Sequence, residues 1–225
     1  MKIYAHRGAS IDFPEMTMDA YKAAVDQGAD GLECDVRLTK DNQILLWHDA
    51  DMKRTAGYSG RIAEMTYPEV RKHYPQALLL EELLEFSQNN QVELAIETKH
   101  PVPQGSMVEK KVLELLAQEE IKENVVMMSF SWLAIENIRR INPAIKTVAL
   151  LEDNFNYLMR RFTSAPILGP SVGFLRSNPE ITQQIKPLYV WTVDDADDMR
   201  FCSDNGVEVL ITNNPSYARK VLGYH

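Results

Sequence analysis

The sequence lacks any long apolar run, and only two of its 225 residues are cysteine. No stretch reaches the roughly 20 apolar residues that span a bilayer, so we expect no stable membrane insertion. Polar residues follow Met1 too closely for the apolar region of a signal peptide, so we expect a cytoplasmic protein. The spacing of Cys34 and Cys202 matches no zinc motif, and we interpret both as buried free thiols.

Basic residues are in the minority, since 24 lysines and arginines face 32 acidic residues and leave a net charge of −8. Such a chain repels nucleic acid at long range, so we expect no nucleic-acid partner. Glycine-rich phosphate loops are also missing, because neither G-x-G-x-x-G nor the P-loop pattern occurs. The length and a hydrophobic content of 45% suit one globular domain over residues 1–225, and a homodimer is possible.

Short apolar stretches alternate with amphipathic ones along most of the chain. Eight stretches have the length and composition of strands: Lys2–His6, Leu32–Val36, Val92–Glu97, Val125–Ser129, Lys146–Leu151, Pro166–Leu168, Leu188–Val193 and Val207–Ile211. Helical periodicity lies between several of them, as in Thr17–Gln27, Ser106–Gln118 and Trp132–Ile141. Eight strands alternating with helices favour an α/β fold, a closed (β/α)8 TIM barrel, over an open sheet.

One apolar stretch, Gln43–Trp47, breaks this alternation. It follows the second strand after the turn-prone pair Asp41-Asn42, too soon for a helical crossover, so we predict a β-hairpin. Residues from Asp49 to about Gln76 then show weak periodicity. A segment that long without clear structure is often functional, and this insertion could cover one end of the barrel.

Three acidic residues are candidates for a metal site. Glu33 and Asp35 share one face of a strand, about 6.6 Å apart, where a cation would relieve their repulsion. Glu97 ends another strand, at the end of a barrel where catalytic residues lie. Three carboxylates suit Mg2+ or Ca2+ better than zinc. Taken alone, the first two could also be solvated acids, and Glu97 could form a private salt bridge with Lys99.

Two histidines follow predicted strands, in His6-Arg7-Gly8 and in His48-Asp49. Beside a carboxylate cluster, two such side chains indicate general acid and base catalysis, because histidine titrates near neutral pH. Arg7 and Lys99 could bind phosphate, and Gly8 would let the backbone approach a ligand.

Two aromatic residues at strand ends, Phe130 and Trp191, could shape a substrate pocket, although core packing is the alternative. His100 follows Lys99 and could be near the site, but nothing in the sequence assigns it a role.

Taken together, these segments resemble the glycerophosphodiester phosphodiesterase family over nearly the whole chain. The resemblance rests on His6-Arg7-Gly8 with Pro14-Glu15-Met16-Thr17, Gly31–Val36, Leu38–Asp41 with Leu46–Asp49, Arg54-Thr55, Glu97-Thr98-Lys99, Ser129-Phe130, Trp191-Thr192-Val193 and Gly206–Thr212. It implies a barrel with an insertion after the second strand. It also implies that Glu33, Asp35 and Glu97 hold one divalent cation, Mg2+ or Ca2+.

The same resemblance implies that His6 and His48 share acid–base work while Arg7 and Lys99 bind phosphate. The glycerol 2-hydroxyl of a small glycerophosphodiester would attack phosphorus, and water would open the cyclic phosphate to glycerol 3-phosphate. Which histidine acts first as base is open at this point.

Three residues depart from the family pattern, namely Met16, Asn42 and Asn213, and we expect none of them to touch the metal ligands or histidines. Two other functions stay in view: a lysophospholipase D-type enzyme on the same barrel, and a non-catalytic phosphodiester-binding protein. An amidohydrolase is disfavoured, because the first strand lacks His-x-His.

Overall fold

A computed structural model describes residues 1–118, 124–152, 157–183 and 187–224. The strands are β1 (Lys2–His6), β2 (Gly31–Leu38), β3 (Ile44–Leu46), β4 (Glu93–Thr98), β5 (Val125–Ser129), β6 (Lys146–Leu151), β7 (Ile167–Pro170), β8 (Tyr189–Val190) and β9 (Val209–Thr212). The helices are α1 (Met18–Asp26), α2 (Lys53–Ala56), α3 (Tyr67–His73), α4 (Leu80–Asn89), α5 (Met107–Gln118), α6 (Trp132–Ile141), α7 (Tyr157–Phe162), α8 (Val172–Ser177), α9 (Ala196–Asp204) and α10 (Pro215–Leu222). In the described residues, no helix is long and apolar enough to cross a membrane.

Eight of the strands form a parallel barrel. The hydrogen-bonded order is β7-β6-β5-β4-β2-β1-β9-β8. Parallel bridges join Leu168 to Leu188 and Ser171 to Trp191, so β7 and β8 meet and close the ring. The remaining strand, β3, pairs antiparallel with β2, as expected for the hairpin. The predicted TIM barrel is therefore confirmed.

Side chains alternate between the inside and the outside of the barrel. Inward-facing residues form one apolar cluster: Tyr4, Ala95, Val126, Met128, Val148, Leu150, Ile167, Tyr189, Val209 and Ile211. The other faces of the strands pack against the helices, and this layer includes Cys34 and Cys202, which are both buried and unpaired. On β2, Cys34 faces outward and Glu33 and Asp35 face the other way, as strand periodicity predicts.

Local sequence explains where several helices begin. The side chains of Thr17, Ser131, Ser171, Asp195 and Asn214 each accept a hydrogen bond from a backbone N–H in the first turn of the helix that follows. These caps satisfy donors that a helix leaves unpaired. Because the helices follow strands in a barrel, the caps also set the direction in which the chain leaves the catalytic rim.

The insertion after the hairpin is more ordered than its sequence indicates. It contains α2, a short 3-10 turn at Ile62–Glu64, and α3. Its apolar residues Met52, Ile62, Met65 and Val70 form a small core together with Leu45, Trp47 and Ala77 of the adjoining segments. Each helix is short, so few residues repeat at helical spacing, and the periodicity of the sequence stays weak.

Candidate active site

A cavity of about 220 Å3 opens at the carboxyl ends of the barrel strands. Its wall contains eight of the nine residues predicted for the site: His6, Arg7, Glu33, His48, Glu97, Lys99, Phe130 and Trp191. The ninth, Asp35, is completely buried and contacts the wall residues Arg7 and Lys99. The barrel thus brings together segments that are distant in sequence.

The three predicted metal ligands form a buried acidic cluster. One carboxylate oxygen from each of Glu33, Asp35 and Glu97 lies within 4.8 Å of the others. Parallel pairing of β2 with β4 sets Asp35 opposite Glu97, which explains the close approach. Neither oxygen of Asp35 accepts a well-aligned hydrogen bond within the described residues.

The electrostatics of this cluster fit a divalent cation. Burial raises the pKa of Glu33 well above its usual range, and the nearby Asp35 raises it further. Burial also raises the pKa of Glu97, to about 7, against the opposing effect of Lys99. Two of the three acids therefore lack enough positive charge around them. A bound cation would supply it and lower both pKa values.

Two cations from the protein already lie against Asp35. The Nε atom of Arg7 is 2.9 Å from one of its oxygens, and the Nζ atom of Lys99 is 2.8 Å from the other. Burial raises the pKa of Asp35, but Lys99 and Arg7 outweigh it and lower the value to about 2. Lys99 also donates a 2.5 Å hydrogen bond to Glu97. The salt bridge considered from sequence is therefore present, and it lies inside the cavity.

Gly8 makes a close approach that was not foreseen from sequence. Its φ is +85°, and an added Cβ would lie 2.7 Å from the backbone of Ala20 in α1. A close approach between the β1–α1 loop and a helix thus requires glycine here. The preceding Arg7 has a φ of 58°, so this tight loop also sets the position of the arginine.

His6 is held by a network that was not expected. Its Nδ1 atom is 2.8 Å from Oδ1 of Asn213, which also accepts a hydrogen bond from Ser10. The Nδ2 group of Asn213 donates to Asp194, so the amide orientation is set. His6 must then carry its proton on Nδ1, which leaves Nε2 as the free base. The expectation that Asn213 would not touch a histidine is wrong.

Burial controls the protonation of His6. It lowers the pKa from its ordinary 6.5 to about 4, and the charge of Arg7 lowers it as well. Asp35 and the hydrogen bond to Asn213 raise the pKa, but by less than burial and Arg7 lower it. The ring is therefore neutral at neutral pH.

His48 has a different partner, a carboxylate. Its Nδ1 atom is 2.7 Å from Oδ1 of Asp49, and Arg54 donates to the other oxygen of Asp49 at 2.6 Å. Burial lowers the pKa of His48 below its ordinary value; Lys99 and Arg7 act in the same direction, and Asp35 and the bond to Asp49 only partly oppose them. Arg54 comes from α2 in the insertion, so the insertion orients a predicted catalytic residue.

Arg54 also connects the two ends of the site. Its two terminal nitrogens donate to Glu15 at 2.6 and 3.0 Å, and Glu15 lies 3.3 Å from Arg7. A continuous chain of charges thus runs from the phosphate-binding candidate Arg7 to Asp49. Glu15, Asp49 and Arg54 were included in the family motifs from sequence but were assigned no role there.

The aromatic pair forms an apolar wall. Phe130 and Trp191 pack edge to face with centroids 5.2 Å apart, and Trp191 donates to the carbonyl of Gly169. Both line the cavity and also pack on the core inside the barrel. Core packing and pocket lining were alternatives in the sequence, and the structure combines them.

The sequence profile of the glycerophosphoryl diester phosphodiesterase family matches residues 6–217. The chain belongs to this family. It is 36% identical to the "Probable glycerophosphodiester phosphodiesterase 1" of Mycobacterium tuberculosis over 252 residues, covering 98% of this chain and 92% of that protein. Family membership agrees with the resemblance seen in the motifs.

Solved structures of the family share this fold. An Oleispira antarctica phosphodiesterase, in complex with the product sn-glycerol-3-phosphate, superposes with a TM-score of 0.89 at 20% identity, covering 99% of this chain and 97% of that one. The glycerophosphodiester phosphodiesterase of Thermotoga maritima gives a TM-score of 0.82 at 23% identity, with 98% of each chain covered. These structural similarities show that the chain has the barrel fold.

Proposed function

We propose that this protein is a divalent-cation-dependent phosphodiesterase that hydrolyses glycerophosphodiesters to glycerol 3-phosphate and an alcohol. The observation that carries the proposal is the meeting of three buried carboxylates with two histidines in one cavity. The product complex of the Oleispira antarctica relative supports the same substrate class.

Glu33, Asp35 and Glu97 are the residues that would hold the cation. An all-oxygen set of three carboxylates suits Mg2+ or Ca2+. When bound, the cation would polarise the phosphate and make the glycerol 2-hydroxyl more acidic. Arg7 and Lys99, which contact Asp35, are close enough to this cluster to neutralise charge on the phosphoryl oxygens.

We assign the first base role to His6 and the first acid role to His48. His6 is neutral, and its free Nε2 lies 4.0 Å from Glu33, on the side of the acidic cluster. His48 is the histidine with a carboxylate partner, Asp49, which opposes the lowering of its pKa by burial, so of the two rings it is the better placed to carry a second proton. His6 takes the proton of the glycerol 2-hydroxyl as that oxygen bonds to phosphorus, and His48 protonates the departing alcohol oxygen.

The second step reverses these roles. His48, now neutral, takes a proton from water as the water oxygen bonds to phosphorus. The bond between phosphorus and the glycerol 2-oxygen breaks, and protonated His6 returns its proton to that oxygen. Glycerol 3-phosphate leaves, and both histidines regain their starting protonation states.

A change of leaving group tests this assignment. The p-nitrophenolate group of a p-nitrophenyl ester of glycerol phosphate departs without protonation. In the first step, His48→Ala should therefore lose far less activity on this ester than on glycerophosphocholine. His6→Ala should lose about 1,000-fold on both, since the attacking hydroxyl needs the base in either case. Release of p-nitrophenol measures that step directly. Equal losses for the two variants on both substrates would refute the assignment.

The function itself is tested with a panel of glycerophosphodiesters. Release of glycerol 3-phosphate should occur with Mg2+ or Ca2+, stop with a chelator and return on adding the cation. Glu97→Gln and Asp35→Asn should greatly weaken the response to added cation. Absence of turnover on every diester at saturating cation would refute the proposal and favour a binding protein.

A second candidate, lysophospholipase D-type hydrolysis, has one observation in its favour. Ile11 and Phe13 are 61% and 40% exposed on the β1–α1 loop. The backbone N–H of Ile11 bonds to the carbonyl of Asn213, so this apolar pair is near His6. An acyl chain could lie on it. Comparing turnover of glycerophosphocholine and lysophosphatidylcholine separates the two activities.

A further inference from the structure

A second space adjoins the 220 Å3 cavity of the candidate active site, called the reaction cavity below. A second chamber, about 680 Å3, shares five residues of its wall with the first: His48, Glu97, Lys99, Phe130 and Glu152. His6 and Glu33 line the first cavity and are absent from the wall of this chamber. The proposed base His6 and the metal-ligand candidate Glu33 thus line only the first cavity, while the proposed acid His48 lies between this cavity and the chamber.

This arrangement locates the departing alcohol. In the proposed function, His48 protonates the oxygen of that alcohol, so the alcohol must be in contact with His48. Because His48 lines both spaces and His6 only one, the glycerol half is on the His6 side and the alcohol extends into the chamber. The chemistry of the chamber wall therefore acts on the head group.

Most charged groups of the chamber already have partners. Glu97 and Lys99 pair with each other, and His48 pairs with Asp49. His100 lies against the buried Glu109 of α5, which explains its position near the site without a catalytic role. These groups are thus largely neutralised within the protein.

Two charged residues of the chamber wall, Glu152 and Arg37, are not part of these pairs. Within the described residues, no hydrogen bond or ion pair reaches the exposed carboxylate of Glu152, which follows β6. Arg37 donates from Nε to the carbonyl of His48. Arg37 lines only the chamber, whereas Glu152 and Phe130 both line the chamber and the first cavity.

We propose that Glu152 and Phe130 select leaving alcohols that carry an ammonium group close to the ester oxygen, as choline and ethanolamine do. This inference rests on the proposed function. Such a group follows the ester oxygen by two carbons, so it reaches the wall where the two spaces join. There it meets a carboxylate and an aromatic ring, which attract ammonium ions by charge and by the ring quadrupole.

The test compares head groups that share one glycerol phosphate half. We measure kcat/KM for glycerophosphocholine, glycerophosphoethanolamine and the neutral glycerophosphoglycerol, and take the ratio of each ammonium substrate to the neutral one. Glu152→Gln should lower both ratios about fivefold, and Phe130→Leu should lower the choline ratio by about threefold. The matched control is Glu85→Gln, an exposed residue of α4 that removes the same charge outside the site.

The outcomes are distinct. Ratios in Glu152→Gln equal to those of Glu85→Gln would overturn the inference while leaving the phosphodiesterase intact. A change of both ratios in Arg37→Gln without one in Glu152→Gln would overturn it too, because Arg37 and not Glu152 would then determine the head-group preference. If none of the three diesters is hydrolysed by the unmodified protein, the proposed function fails, and this inference fails with it.

Discussion

The amide of Asn213 sets which nitrogen of His6 carries the proton, and replacing that amide by the carboxylate of its partner Asp194 should raise the pKa of the ring. Asn213 faces His6 with its oxygen at 2.8 Å and donates from its nitrogen to Asp194. The double variant Asn213→Asp/Asp194→Asn keeps one acid and one amide in the pair. It therefore keeps the net charge but moves the carboxylate from Asp194 to a position in direct contact with the imidazole.

The size of the effect follows from this contact. A carboxylate at hydrogen-bond distance raises a histidine pKa by about 1 to 3 units. His6 starts at about 4, so we expect about 6 in the double variant. The base must be neutral to work. At pH 5 about nine tenths of His6 is neutral in the wild type and slightly under one tenth in the double variant, so the rate should fall about tenfold.

The assay is the pH dependence of kcat/KM at saturating cation, together with the NMR titration of His6. The acid limb of the profile should move up by about 2 pH units in the double variant. Asp194→Asn alone is the control, because Asn213 then still faces His6 and the limb should not rise. Asn213→Asp alone would place two carboxylates in contact, so the two must share a proton and the shift should be smaller.

The reasoning fails if the double variant titrates like the wild type. That result would mean that Asn213 does not set the electrostatics of His6, or that His6 is not the base of the first step. The NMR titration separates these two cases, since it reports the pKa of the ring whether or not the ring is catalytic.

Three further predictions follow from the site and its loops. Asp49→Asn should lower kcat about 10- to 100-fold on choline diesters, because His48 loses its carboxylate partner. The loss on the p-nitrophenyl ester should be smaller, and equal losses on the two substrates would contradict this prediction. Glu97→Gln should weaken cation binding at least about tenfold in calorimetry, and unchanged affinity would remove Glu97 from the metal site. Met16→Asn should reduce the free energy of unfolding, measured in urea, by about 1 to 2 kcal/mol. The loss of a buried apolar side chain outweighs the better fit of asparagine to the left-handed backbone at this position, where φ is 54°; a stabilised variant would refute that balance.

The acidic cluster of Glu33, Asp35 and Glu97 was the part of the molecule most accessible to sequence reasoning. Glu33 and Asp35 share a strand, so the period of two places both on one face whatever the rest of the chain does. Glu97 could be added because a barrel collects the carboxyl ends of its strands at one rim, and the register of Asp35 with Glu97 agrees.

The partners of the histidines were only partly accessible. Asp49 is next to His48, yet adjacency in sequence does not show which atoms meet. Asn213 is 207 residues from His6, and its contact exists only because β1 pairs with β9. The departure at Asn42 was easier to judge, because it depends on local conformation. Its φ of 61° is one that asparagine tolerates.

Periodicity, turn residues and strand count are local properties, and they were enough to predict the barrel and the hairpin, whereas the candidate site residues came from charged side chains at strand ends and from the family motifs. They could not predict the direction of hydrogen bonds among His6, Asn213 and Asp194, nor the reach of Arg54 from the insertion to Glu15 and Asp49. Those contacts depend on side chains that only the closed barrel brings within 3 Å of each other. The protonation of each histidine therefore follows from tertiary structure, because burial and neighbouring charge determine a pKa, and neither can be read from a linear chain.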